Sequence, residues 1–260
     1  MHEEEQMQSL HEIFDPSMPR LGPGEDASTV KALDVARATP FLKKALLRKG
    51  GARVLDLGCG NGAQTIQLAK RIDGTILAVD VYQPYLDEMF RRAEAEGVAG
   101  KITPCLSDMA ALEAEEGAFD LVWSEGALFC MGFRKALAAC HRWLAPGGVM
   151  AVTELCWFNP EPPAECRQFF TEMCPEMMDV SGTLSAFLEN GYKHLDHFLL
   201  PESAWRDKYI APLEKRLSLL RQNATGTAEK LGMLDLIQKE IDIYRRYHEH
   251  YGYAFYVMQR

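Results

Sequence analysis

The stretch Val54-Leu55-Asp56-Leu57-Gly58-Cys59-Gly60-Asn61-Gly62, VLDLGCGNG, decides how the chain is read. An apolar run with a carboxylate inside it ends in three glycines at alternate positions. Placed between a strand and a helix, such glycines let a ligand touch the backbone, because no Cβ stands in the way. One ligand class that uses this device is a dinucleotide. Gly58-x-Gly60-x-x-Ala63 fits the permissive dinucleotide pattern, and Asp80 lies about 20 residues on, as that pattern asks. The loop alone therefore leaves an NAD-dependent oxidoreductase open.

The second class is S-adenosylmethionine, which carries an ammonium, a carboxylate, a sulfonium, a ribose and an adenine but no phosphate. Asp56 separates the two. A carboxylate two residues before the first glycine would repel a pyrophosphate, and it can accept, directly or through water, from an ammonium. Asp80, ending the second strand, can take both ribose hydroxyls in either class and so decides nothing. Asp108, after the third strand, can accept from the adenine amine, with the Met109 amide facing a ring nitrogen.

Working outward, short apolar strands alternate with amphipathic helices from Arg53 onward. Strands are predicted at Arg53–Leu57, Thr75–Asp80, Lys101–Leu106, Phe119–Trp123, Gly148–Leu155, Tyr192–Leu200 and Tyr253–Met258. Helices are predicted between them, at about Gly62–Arg71, Pro84–Glu96, Gly132–Leu144, Pro163–Met173 and Thr183–Asn190. Strands joined through helices make a parallel sheet with right-handed crossovers. The fold class is α/β: a doubly wound, mostly parallel, seven-stranded Rossmann-like sheet with helices on both faces. Residues 1–49 read as an N-terminal helical lid, with helices at Gln6–Phe14, after Asp26 or Ser28 as a cap, and at Phe41–Arg48. Residues 50–260 form the main domain. A helical insertion at about 202–250 precedes the last strand, as Glu202–Arg221 and Thr227–His250 joined by a turn at Asn223–Gly226.

With 260 residues, 47% of them hydrophobic, the chain can bury one good core. Its 28 Lys and Arg stand against 37 Asp and Glu, a net charge of −9, so no nucleic-acid footprint or anionic membrane surface is indicated. Lys43, Lys44, Arg48 and Lys49 read as a solvated helix face. No apolar run approaches a membrane span. Seven scattered cysteines without a CxxC point to a reducing cytoplasm, with neither a disulfide frame nor a zinc site. His194-x-x-His197 lies on a predicted strand, where that spacing sends the rings to opposite faces, so no metal site is expected.

The combined motifs are the glycine loop, Ser107-Asp108-Met109, Phe119 to Gly126, and Leu144-Ala145-Pro146-Gly147-Gly148. Over about residues 50–155 they resemble the class I SAM-dependent methyltransferases. Leu21-Gly22-Pro23-Gly24 is similar to an N-terminal element of small-molecule methyltransferases, the phosphoethanolamine methyltransferases included. Trp123 to Ala127, Trp157-Phe158 and Tyr251 to Tyr256 resemble a group of uncharacterised bacterial small-molecule methyltransferases. The resemblance implies S-adenosylmethionine as cofactor and S-adenosylhomocysteine as product. It implies cofactor contacts at Gly22, Asp56, Gly58, Cys59, Gly60, Gln64, Asp80, Val81, Ser107, Asp108, Met109 and Ser124.

Methyl transfer from a sulfonium needs alignment, exclusion of water and, for a neutral acceptor, a base. Glu125 and Glu154, at the carboxyl ends of strands four and five, are the candidates. Phe129 and Trp157 would rim the acceptor pocket and raise the pKa of Glu125; the other reading makes Glu125 a cofactor ligand or a helix cap. Tyr251, Tyr253, Phe255 and Tyr256 read as sheet core rather than a substrate cage. The long helices read as packing over their own domain, with a partner surface such as a homodimer contact as the alternative. The expectation is a cytoplasmic enzyme acting on a small-molecule acceptor. Its rival is a non-catalytic SAM-binding sensor or assembly module.

Overall fold

The computed structural model describes residues 2–222 and 228–260, with side chains from residue 7 onward. The turn expected at Asn223–Gly226 lies outside the described residues. The strands are β1 (Ala52–Leu57), β2 (Gly74–Asp80), β3 (Ile102–Leu106), β4 (Phe119–Glu125), β5 (Leu144–Trp157), β6 (Met178–Asp179), β7 (Lys193–Leu199) and β8 (Tyr251–Gln259). The helices are α1 (His2–Ile13), α2 (Asp26–Ala38), α3 (Pro40–Leu47), α4 (Ala63–Arg71), α5 (Gln83–Ala95), α6 (Phe133–Trp143), α7 (Ala164–Met173), α8 (Val180–Glu189), α9 (Glu202–Trp205), α10 (Ala211–Gln222) and α11 (Ala228–Tyr247).

Seven strands run in the order β3-β2-β1-β4-β5-β8-β7, and the two-residue β6 adds to β5 as an eighth that sequence reading missed. β8 is antiparallel to both β5 and β7; the other pairings are parallel. The order reverses between β1 and β4, and the crevice at such a reversal is where open α/β sheets bind ligands. Nine ladder pairs, Val149–Gln259 to Trp157–Tyr251, lengthen β5 and β8 beyond their predicted ends.

Strand alternation splits the core. Val54, Ile76, Leu121, Trp123 and Val257 pack with Leu33, Leu42, Leu68 and Met89 from α2 to α5. Leu55, Val79, Val122, Val152 and Tyr256 pack with Leu137 and Phe187 from α6 and α8. The expected lid of residues 1–49 therefore divides. α2 and α3 pack into the sheet's core, and at the carboxyl edge the chain before them is joined by Thr29 of α2, which bonds Glu125. α2 starts after Glu25 as N-cap, with no side-chain cap bond from Asp26 or Ser28. Asp26 instead pairs with Arg20 at 2.9 Å. Arg48 is not a solvated face either: its guanidinium bonds the buried Asp120, with Nη1 to Oδ1 at 3.0 Å.

A third cluster caps the carboxyl edge. Trp157, Phe170 and Tyr251 meet Trp205, Tyr209, Leu213, Leu234 and Ile241, with Ile13 from α1. The predicted Glu202–Arg221 helix contains a π-helical stretch, Arg206–Ile210. Pro212 explains it, having no N–H for the Lys208 carbonyl. On α11, Leu231 is 41% exposed, whereas Ile237 is buried in this cluster. On β7 a bulge at Leu195 breaks the register between His194 and Asp196. It brings His194 and His197 to one face, with Nε2 and Nδ1 2.9 Å apart, against the alternation expected. Among the described residues no cluster of three or more metal-ligating side chains forms, and no helix is long and apolar enough to cross a membrane.

Candidate functional site

The loop after β1 is held by its glycines. Gly58, Gly60 and Gly62 all have positive φ, at 65°, 53° and 82°. A Cβ on Gly58 would stand 2.3 Å from the Ala127 Cβ, and one on Gly62 would stand 2.3 Å from Met89 Cγ. Cys59 is sealed beneath the loop, its amide on the Val79 carbonyl at 3.0 Å. Burial pushes its thiol well up, as fits a packing residue rather than a nucleophile.

Asp80 fixes the loop to the end of β2. Its Oδ2 accepts from Gly60 N at 2.9 Å and its Oδ1 from Tyr82 N at 3.0 Å. Burial raises its carboxyl, against the two backbone bonds. Val81 and Leu106, just beyond β2 and at the end of β3, are 58% and 56% exposed. Two adjacent apolar side chains left open at the carboxyl edge suit a flat ring. Leu106 was not among the expected contacts; an apolar residue closing a strand reads as core until the edge is seen. Asp108 Oδ1 accepts from Ala110 N at 2.8 Å, and the Ser107 hydroxyl donates to the Asp108 carbonyl at 3.1 Å. Met109 is buried, and its Cε lies 3.2 Å from where a Gly58 Cβ would be.

Three expected roles need correction. Asp56 is wholly buried and accepts from Thr65 Oγ1 at 2.6 Å and from Gln64 Nε2 at 3.4 Å. Burial pushes its carboxyl to about 7, against those two hydrogen bonds. It faces the root of α4, so any effect on a ligand's ammonium passes through Gln64. The hydroxyl of Ser124 donates to the Leu57 carbonyl at 2.9 Å, tying β4 to β1 beneath the site. Glu125 accepts from Arg20 Nη1 at 3.0 Å, Thr29 Oγ1 at 2.7 Å and Trp123 Nε1 at 3.0 Å. A carboxylate so engaged has little left for a substrate proton. Phe129 is 54% exposed, while Trp157 is buried against Phe170 and Tyr251.

Glu125 instead anchors the N-terminal segment. Arg20 bridges it to Asp26. Asn61 in the glycine loop donates to the Pro16 and Met18 carbonyls at 3.0 and 2.7 Å. Leu21 Cδ1 lies 3.0 Å from where a Cβ on Gly60 would be. Gly22 lies in the same segment, half-buried, and a Cβ there would point into open space. His11 on α1 stacks on Tyr82 with ring centroids 3.5 Å apart, beside Asp80. Arg20 escaped sequence reading because its partner Glu125 lies far along the chain.

Glu154 lies on β5, paired with Ala254. Its Oε2 is buried without a hydrogen-bond partner, and burial, reinforced by Glu176, pushes its carboxyl to about 8. Glu240 on α11 was not expected as a site residue. It interrupts the apolar seam of Ile237, Ile241 and Tyr244, which is the signal a helical wheel offers. An open groove of about 570 Å³ lies between the N-terminal segment, α4 and α5, lined by Arg20, Lys70, Arg91 and Arg92. None of the expected cofactor residues lines it, and these cations are paired with Asp26, Glu96 and Glu88.

The residues present fit an S-adenosyl ligand. The loop offers bare backbone, Asp80 borders it, and open apolar surface lies next to Asp108. Residues 54–148 match a family described as a methyltransferase domain. The chain is 28% identical over 172 residues to YjhP of Escherichia coli, covering 65% of this chain and 68% of that protein. It is 32% identical over 154 residues to a demethylmenaquinone methyltransferase of Thermus thermophilus, covering 54% of this chain and 65% of that one. The solved structure of YjhP superposes with a TM-score of 0.78 at 23% identity, covering 97% of this chain and all of the other. A methyltransferase of Geobacter sulfurreducens, solved with S-adenosylhomocysteine, gives 0.70 at 23% identity over 88% of this chain and 98% of that one. The fold is therefore the Rossmann-like methyltransferase fold.

Proposed function

We propose that this chain, a SAM-dependent methyltransferase, methylates a small-molecule acceptor inside a pocket closed by its own N-terminal segment and C-terminal helices. The observation that carries this reading is the cover over the carboxyl edge: Leu21 over Gly60, Arg20 on Glu125, and the α9–α11 cluster over β5 and β8. A covered edge admits a metabolite and shuts out water and large substrates.

In this reading the backbone of Gly58, Cys59 and Gly60 supports the methionine end of the ligand. Gln64, held by Asp56, faces it. Asp80 takes the ribose, and Val81, Leu106, Ser107, Asp108 and Met109 frame the adenine. Gly22 and its neighbours close over the top, while Ser124 and Glu125 hold the platform. The bound cofactor supplies a methyl group already activated as a sulfonium. What the chain adds is alignment and dryness. Residues 1–25 act as the lid, and residues 26–260 form one unit with it.

The setting we propose is cytoplasmic, in keeping with seven free cysteines. A net charge of −9 speaks against nucleic acid as substrate. A homodimer through the exposed Leu219 and Leu231 of α10 and α11 belongs to the same proposal. The test is to incubate the protein with S-adenosylmethionine and fractionated cell metabolites and to measure S-adenosylhomocysteine. Release with one low-mass fraction is expected. Tight cofactor binding with no release in any fraction would make the chain a binding module instead.

A further inference from the structure

We propose that the acceptor is a cationic, amine-bearing molecule, held by Glu240 inside a box formed by Trp205, Tyr209, Tyr251 and Tyr253. This rests on the methyltransferase reading and names the substrate class of the same site. The box adjoins the cofactor loop from two directions. The Tyr253 hydroxyl lies 3.5 Å from where a Cβ on Gly126 would be, at the end of β4 beside Glu125. Leu21, which touches Gly60, also packs against this aromatic cluster.

The rings pack around Trp205, which also stacks on Tyr244 with centroids 4.6 Å apart. Trp205 lies edge-on to Tyr209 and Tyr251, with centroids 6.2 and 6.0 Å away, and tilted to Tyr253 at 5.6 Å. Aromatic faces attract cations and favour a neutral guest much less. Glu240 enters from α11, where the Tyr209, Tyr251 and Tyr253 hydroxyls lie within electrostatic reach of its carboxyl. No cation is among the groups that act on it. The Tyr251 hydroxyl is itself buried without a hydrogen-bond partner. Buried polar atoms without partners call for an explanation. A carboxylate enclosed without a counter-ion is costly, and an ammonium ligand supplies the missing charge. Burial pushes the Glu240 carboxyl to about 7. That value suits a group that holds an ammonium and takes one N–H proton from it, leaving a neutral amine with its lone pair free.

The test uses calorimetry on the full chain saturated with S-adenosylhomocysteine. Choline serves as a probe of the cationic class, and its uncharged carbon isostere dimethylbutanol as the control. Choline should bind at least about ten-fold more tightly, a difference of roughly 1.4 kcal/mol. Glu240→Gln should erase that preference and keep the affinity for S-adenosylhomocysteine. Equal affinities, or no binding of choline, overturn the proposal on the wild-type protein alone, whatever the variant does. A preference that survives Glu240→Gln also overturns it. Failure to bind S-adenosylhomocysteine would strike the methyltransferase reading itself.

Discussion

Around Gly58–Gly62 most polar contacts are local: Asp56 meets Gln64 and Thr65, and Asp80 meets Gly60 and Tyr82, with Asn61 reaching back to the Pro16 and Met18 carbonyls of the cover. Over the aromatic cluster they span the chain. Arg20 and Thr29 reach Glu125, Glu25 takes the Ser203 hydroxyl, and Glu12 meets Lys230 and Arg216. The cofactor half is thus a rigid strand–loop–helix unit fixed by close backbone approach. The covering half joins an apolar cluster to charged and polar contacts between segments distant in sequence. Such contacts can break without unmaking the core beneath, and that is what a site that must open for its substrate requires.

The hardest way to break this contrast is Gly58→Ala. The residue has a φ of +65°, and the new methyl would meet the Ala127 Cβ at 2.3 Å. Left-handed strain and overpacking together should cost about 3 kcal/mol. Urea denaturation should show that loss for the whole domain, together with loss of S-adenosylhomocysteine binding by calorimetry. Retained binding at full stability would mean the loop is soft and the contrast false.

Legibility in the sequence follows the same division. The glycine loop and the β1-to-β5 alternation were readable because each is a local pattern: period-two burial, or glycine where a Cβ cannot fit. Asp56 was readable as a special residue but not in its role. Sequence places a carboxylate before the glycines without saying that Thr65 and Gln64 turn back to meet it. Glu125 shows the limit more sharply. Its position at the end of β4 suggested a base, yet its chemistry is set by Arg20, 105 residues away. The His194–His197 contact was misjudged because a single bulged residue, Leu195, resets the alternation. Glu240 sat in a readable seam, but its meaning depends on three tyrosines from other elements.

A smaller effect sharpens the comparison from the covering side. Arg20 and Glu125 have side chains only 8% and 5% exposed. Arg20→Ala leaves that carboxylate two neutral donors and no cation, which should cost about 2 kcal/mol, below the usual range for breaking a buried pair. The loss should appear first as proteolytic cutting within residues 7–25, before global unfolding. Arg20→Met with Glu125→Gln should recover much of it, since no charge is then left buried. If the segment stays protected in Arg20→Ala, the cover is held by its apolar contacts and the ion pair is incidental.

The smallest effect is a pH slope. The Glu154 carboxyl, 4.5 in the unfolded reference, is pushed to about 8 in the fold by burial, with Glu176 adding to the shift. A folded value above the unfolded one means the neutral carboxyl stabilises the fold fully below about pH 4.5. That contribution falls as the pH rises, and it levels off above about 8. Glu154→Gln keeps the shape and cannot ionise. The variant should therefore match the wild type near pH 4.5 and exceed it near pH 8. The gain should be only about 1 kcal/mol, because Glu154 keeps some contact with solvent and can relax toward it. Urea denaturation at the two pH values reads it directly. A residual slope should persist in the variant up to about pH 7, because Asp56 beneath the loop and Glu240 in the cover shift in the same direction. Parallel curves for variant and wild type would place Glu154 in water, and the cleft beside β5 would then be open to solvent rather than covered.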